Sequence, residues 1–240
     1  MNIKKGLLAG FAAVSLSMTA QAGDINVGGV VWDPDSGLDF QSNGTTYETF
    51  AGAVGDVVTG FGIITNFNGT DQSVFCPSCE LTYTFSLELT AATATGGSAF
   101  AFEFDNVVFD LWVDDSPEFS LLAPTLASAA DGDNFLSLVN NGLLTGFANN
   151  LFDPLSVQGF GGGFLDVVGG MAANNFDTNG RMNGSDMAFT SSFQPANLNV
   201  PGYPLFGTLD LAGNSIPEPS TIALFGLALL GFASRKKLNK

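Results

Sequence analysis

The sequence predicts an all-β chain, a single antiparallel sandwich-like domain, and three observations predict it. From Leu81 to Thr90 the residues alternate strictly: Tyr83, Phe85, Leu87 and Leu89 on one face, Thr82, Thr84, Ser86, Glu88 and Thr90 on the other. That period of two belongs to a strand with one buried and one wet face. Lys, Arg and Glu, the residues that usually cover helix surfaces, are nearly missing between positions 23 and 216. Short apolar runs are instead punctuated by Gly, Ser, Thr and Asn. The 23 Phe in the chain oppose disorder, and a body of about 190 residues suits one domain with a real core.

In order, Ile25–Val27 and Val30–Trp32 read as short strands, and Val57-Val58 and Phe61–Ile64 as strand pieces. The Leu81 strand is followed by Phe100, Phe102 and Phe104 alternating with Ala101 and Glu103, then by Val107–Val113. These two runs are expected to pair as a hairpin or as sheet neighbours, with the aromatic stripe in the core. Phe119–Asn150 is the one region where the apolar residues suggest helix, with a short helix near Phe135–Asn140 or else a strand and turn. The glycine-rich stretch from Gln158 to Gly170 lacks the Lys of a phosphate loop and reads as a Gly-rich strand or bulge. Met187–Phe193 and Leu205–Leu211 alternate again, separated by Pro195, Pro201 and Pro204.

Two acidic loops are candidate calcium sites. Asp33, Asp35 and Asp39 surround a Gly turn, and Asp177, Asn179, Asn183 and Asp186 offer oxygen ligands between glycines. Calcium takes such oxygen-rich spacing, and plain Asp/Gly turns use the same residues. Cys76 and Cys79 are the two cysteines. With no His anywhere and no second Cys pair, a zinc site lacks ligands. An exported chain would join them as a local disulfide.

Both ends carry targeting signals. Lys4 and Lys5 precede an apolar run from Gly6 to Met18, and Ala20-Gln21-Ala22 is a small-x-small cleavage site. Residues 1–22 thus read as a signal peptide removed after Ala22. At the other end, Pro217-Glu218-Pro219 meets the apolar stretch Thr221–Ala233, and Arg235, Lys236 and Lys237 follow. Thirteen helical residues span about 20 Å, short of a bilayer core of about 30 Å, and the basic cluster holds that end on the cytoplasmic side. Together these residues resemble the PEP-CTERM sorting signal of exported Gram-negative proteins. The resemblance implies transient membrane insertion, processing by an exosortase near Pro217–Pro219, and a final place at the cell surface or outside it. It divides the chain into a signal peptide (1–22), an exported domain (23–216) and a sorting segment (217–240). The exported acidic, Phe- and Gly-rich body is similar to the flocculation-associated PEP-CTERM proteins, which implies a structural or adhesive role with extracellular polysaccharide, in floc or biofilm.

Charge narrows the function classes. The chain has 7 basic and 23 acidic residues; without the targeting ends the body keeps Arg181 against 22 acids, a net of −21. Such a body repels nucleic acid and anionic lipid. The lack of His excludes Ser-His-Asp chemistry. A non-enzymatic role is expected; a calcium-dependent carbohydrate-binding module is the alternative and an exported glycosidase, using paired carboxylates, the third reading. The two targeting signals predict a mature protein that begins at Gly23 and has lost Arg235 to Lys240. Intact-mass spectrometry of the exported protein checks this, and a mature chain keeping both ends would defeat it.

Overall fold

Twelve strands and a few single turns of helix account for residues 23–37, 39 and 41–216, which the computed structural model describes. The signal peptide, the PEP motif, the apolar stretch after it and the basic tail lie outside the described residues. β1 (Ile25–Val27) and β2 (Val30–Trp32) form a hairpin of their own. Its turn residues Gly28 and Gly29 have φ of 60° and 91°, a doubly left-handed turn that matches strand twist.

The remaining strands make one antiparallel sheet: β3 (Gln41–Glu48), β4 (Val57–Phe67), the short β5 (Thr70–Asp71), β6 (Glu80–Gly96), β7 (Ala99–Asp114), β8 (Asp133–Asn140), β9 (Leu144–Asn149), β10 (Gln158–Gly169), β11 (Met187–Val200) and β12 (Tyr203–Ala212). With β5 pairing only β4, the long strands pair in chain order from β3 through β4, β6 and β7 and again from β10 through β11 and β12, and β12 returns to β3 from Leu205↔Glu48 to Ala212↔Gln41. β8 and β9 lie end to end between β7 and β10, and β10 pairs with β11. They share one lane, so eight lanes complete a closed circuit. The expected antiparallel all-β domain is found, and its two faces are halves of one continuous sheet. Closure leaves no unpaired long edge for other chains to extend. Leu81, Tyr83, Phe85, Leu87 and Leu89 are buried inside, while Thr84, Ser86 and Glu88 point out.

An eight-stranded barrel has an interior that side chains just fill, and here large rings face glycines. Phe85 pairs across the strands with Gly60, Tyr83 with Gly62, and Phe102 with Gly146. A Cβ at Gly60 or Gly146 would run into the Phe85 or Phe102 ring, and one at Gly62 into the Thr45 carbonyl and the Tyr83 ring. The rings released into that space stack: Tyr83 on Phe109 at 5.3 Å and Phe85 on Phe109 at 6.1 Å between centroids.

One end of the barrel is closed by the β1–β2 hairpin. Trp32 stacks on Phe176 at 5.1 Å and meets Phe67 and Phe135 edge-on at 6.2 and 6.4 Å. Near it a one-turn helix, Gln72–Phe75, leads to the Cys76–Cys79 disulfide and into β6. On the outside, Tyr47, Phe61, Ala129 and Val200 form a second apolar cluster with Phe119, Tyr203 and Phe206. The segment after β7 covers it, held by Thr82 donating to the Ala129 carbonyl at 3.0 Å and by the Glu80 carboxylate accepting from the Phe119 N–H at 3.0 Å.

The helix suggested over Phe119–Asn150 is corrected. That stretch holds a single 3-10 turn, Ala127–Ala129, and the strands β8 and β9. Leu136, Leu138 and Leu144 serve as inward strand positions, and pairing with β7 on one side and β10 on the other decides the outcome. Gly60→Val and Gly62→Val are expected to destabilise the barrel by about 1–3 kcal/mol through overpacking. The Gly62 variant should cost more, because a ring can turn and a backbone carbonyl cannot. Thermal melts of the two variants check both the sign and the order.

Candidate functional site

Hydrogen bonds within the fold occupy several of the acidic residues singled out from the sequence. Asp33 Oδ1 accepts the Asp35 N–H at 2.9 Å, and Ser36 N–H bonds to the Asp33 carbonyl at 3.2 Å, which makes a turn. Asp186 is buried and accepts three backbone N–H groups, from Val167, Thr178 and Asn179, at 2.6–2.8 Å. Asn179 Nδ2 donates to Asp177 at 3.2 Å, and Asn179 and Asn183 take positive φ. Arg181 reaches out of this loop to the Gly213 carbonyl at 2.8 Å. Among the described residues, no three His, Cys, Asp or Glu side chains are grouped to hold a metal ion.

Asp39 stands where the body gives way to the tail. Its carboxylate accepts the Ser215 N–H and, at 2.7 Å, the Ser215 hydroxyl. Trp32 Nε1 donates to the same hydroxyl at 3.1 Å, and Ile216 N–H bonds to the Asn175 carbonyl at 2.7 Å. The chain is therefore pinned at the closed end of the barrel, one residue before Pro217.

The other end of the barrel holds a cavity of about 60 Å³. Its walls come from all eight lanes and include Phe85, Leu87, Phe102, Phe189 and Leu205, with the loop residues Phe50 and Ala51 across it. Five polar side chains line this mostly apolar space, Thr46 and Glu48 on β3 with Thr49, Thr145 and Ser191. Thr46 Oγ1 is buried and makes no hydrogen bond of good geometry; the Tyr83 hydroxyl beside it donates to the Thr45 carbonyl at 2.9 Å. Glu48, 9% exposed, has its carboxyl pushed up from 4.5 to about 8 by burial alone. Sequence reasoning missed this pair. β3 has no apolar alternation, and its inward positions are Ser42, Gly44, Thr46 and Glu48.

A groove crosses the outer face over β9 to β12. Phe147 and Phe160 meet there with ring centroids 6.4 Å apart, and Phe160 is 63% exposed. Phe206, Asn149, Gln158 and Gln194 line it beside them.

The Glu48 shift has a sign that can be tested. The folded value lies above the unfolded one, so the native state keeps a proton that the unfolded chain has released. The stability this contributes is full below about pH 4.5 and is lost as pH rises through about 8. Glu80, raised chiefly by burial as well, adds to the same slope. Glu48→Gln is expected to flatten part of the fall in melting temperature between pH 5 and pH 8, and an unchanged slope would mean that Glu48 is ionised in the fold.

Among the described residues no helix is long and apolar enough to cross a membrane. Neither a curated protein nor a solved structure matches the chain. The model of the PEP-CTERM protein-sorting motif matches residues 215–237, a stretch that begins at the pinned Ser215 and runs through the basic cluster, and it implies an exported protein processed by an exosortase.

Proposed function

We propose that this chain is a structural or adhesive component of the cell surface or extracellular matrix, acting with exopolysaccharide in aggregation of the floc or biofilm kind. The sorting motif at residues 215–237 carries the reading, since it addresses the body to the place where such polysaccharide lies. A barrel without free strand edges suits that setting: it presents a large, fixed surface and resists pairing with its neighbours. The role is non-enzymatic, in keeping with a body that has no His and a single basic residue, Arg181.

The outer groove favours direct contact with glycan. Exposed apolar patches rimmed by polar groups mark interaction sites. The Phe147 and Phe160 rings offer flat faces to the C–H faces of sugar rings, and Asn149, Gln158 and Gln194 offer amides to hydroxyls. No cation is needed for that contact.

Phe160→Ala is expected to weaken retention of the exported protein on the producing strain's own exopolysaccharide several-fold, with the melting temperature unchanged, because the ring is mostly exposed. Affinity electrophoresis measures it. Equal migration of both proteins in that polysaccharide would remove the groove from the reading. Unaltered aggregation in a strain lacking the gene would remove the adhesive role itself.

A further inference from the structure

We propose that the barrel interior is a binding site for a small, uncharged, mostly apolar molecule carrying one carbonyl-type hydrogen-bond acceptor, seated with its head at Glu48 and Thr46. The argument is independent of the adhesive reading. Buried polar groups in folded proteins nearly always have partners, and a buried group left without one costs about 1–3 kcal/mol. Here the Thr46 hydroxyl is such a group, and the Glu48 carboxyl, 9% exposed, lines the same cavity from the same strand two residues away. Apart from Thr49, Thr145, Ser191 and two glycines, the rest of the wall is rings and aliphatic chains, so a guest has a mostly apolar body with its polar end at Glu48.

Size and charge define the guest further. At about 10–15 Å³ for each water-sized position, a cavity of about 60 Å³ takes a body of roughly five or six non-hydrogen atoms. The space exists because small inward residues meet there: Gly161 pairs with Ser191 on one side and Gly146 on the other. A Cβ at Gly161 would have the Thr145 carbonyl at 3.2 Å, the Phe102 ring at 3.4 Å and Gly146 Cα at 3.7 Å as its nearest neighbours. Glu48 is the sole ionisable group in the lining. Around it, Tyr83 on β6 is held well above its ordinary value by burial. Tyr47 belongs to the outer cluster, with Tyr203 packed against it. Asp210 is hydrogen-bonded to Asn43, and Asp56 accepts from Gly52 and Ala53. No cation neutralises Glu48, so at neutral pH its carboxyl is protonated and donates, which selects an acceptor. An apolar wall rejects a charged head.

The test uses the purified exported protein and cyclopentanone as probe, with cyclopentane as the same body lacking the acceptor, read by saturation-transfer NMR titration. Cyclopentanone is expected to bind saturably at pH 6.5, about tenfold tighter than cyclopentane, the worth of one hydrogen bond. The wild type should weaken about tenfold at pH 9.5, where Glu48 is ionised and no longer donates. Glu48→Gln should bind at both pH values alike, since an amide still donates. Glu48→Leu should lose about tenfold at pH 6.5 while melting no lower than the wild type, which separates lost binding from lost fold. Absence of saturable cyclopentanone binding at pH 6.5 would overturn the proposal, leaving the cavity to water. So would equal binding by Glu48→Leu, or a pH dependence that persists in Glu48→Gln.

Discussion

The constraint on which the rest depends is the pairing of an inward ring with an inward glycine on the next strand. Eight lanes fix the girth of a barrel within narrow limits, and a chain with 23 Phe overfills that girth unless the backbone yields space. Gly60, Gly62 and Gly146 yield it opposite Phe85, Tyr83 and Phe102. Gly163 pairs with Phe189 in the same way. Each glycine lowers strand stability by its own flexibility, and burial of a ring offsets this, since aromatic side chains bury more area than any other. Where small residues meet, as Gly161 meets Ser191, the packing is looser. The cavity is thus a local exception to the rule that packs the remainder.

Much of this was legible in the chain. The alternation from Leu81 to Thr90 marks β6 because its two faces differ sharply in polarity, and the glycine run from Gln158 to Gly170 does become a strand. The pairing of the Phe100 run with β6 followed from a short small-residue turn. Closure was not legible: Leu211 pairs with Ser42 across most of the domain's length, and a sandwich and a barrel share the same alternation. β3 was invisible because a strand whose inward residues are Ser, Gly, Thr and Glu shows no hydrophobic period. Its place in the sheet is set by β4 and β12 rather than by its own apolar content, and with it the buried Thr46 hydroxyl and Glu48 carboxyl were hidden.

Acidic residues in this body serve as acceptors for backbone N–H groups more than as partners of cations. Asp186 gathers three strand and loop N–H groups, Asp56 holds the Gly52 and Ala53 N–H groups, and Asp39 holds Ser215. Charged acceptors make stronger hydrogen bonds than neutral ones. A chain with a single basic residue in its body can therefore anchor its loops without ion pairs. The same carboxylates give the surface one sign of charge, which keeps copies apart in solution.

Glu48 is the exception among them, and its position explains how. Asp39, Asp56 and Asp186 sit in turns and loops, where free N–H groups abound. Glu48 ends a strand whose N–H groups are already committed to β4 and β12, and its side chain enters a space walled by rings. The described strands end at Ala212, and the Asp39–Trp32–Ser215 contacts pin the chain at the opposite, closed end. Processing within the tail therefore leaves the circuit of strands whole, and the interior around Glu48 with it. The Ser215 contacts and the cavity occupy opposite ends of one barrel, so the chemistry of each can change without disturbing the other.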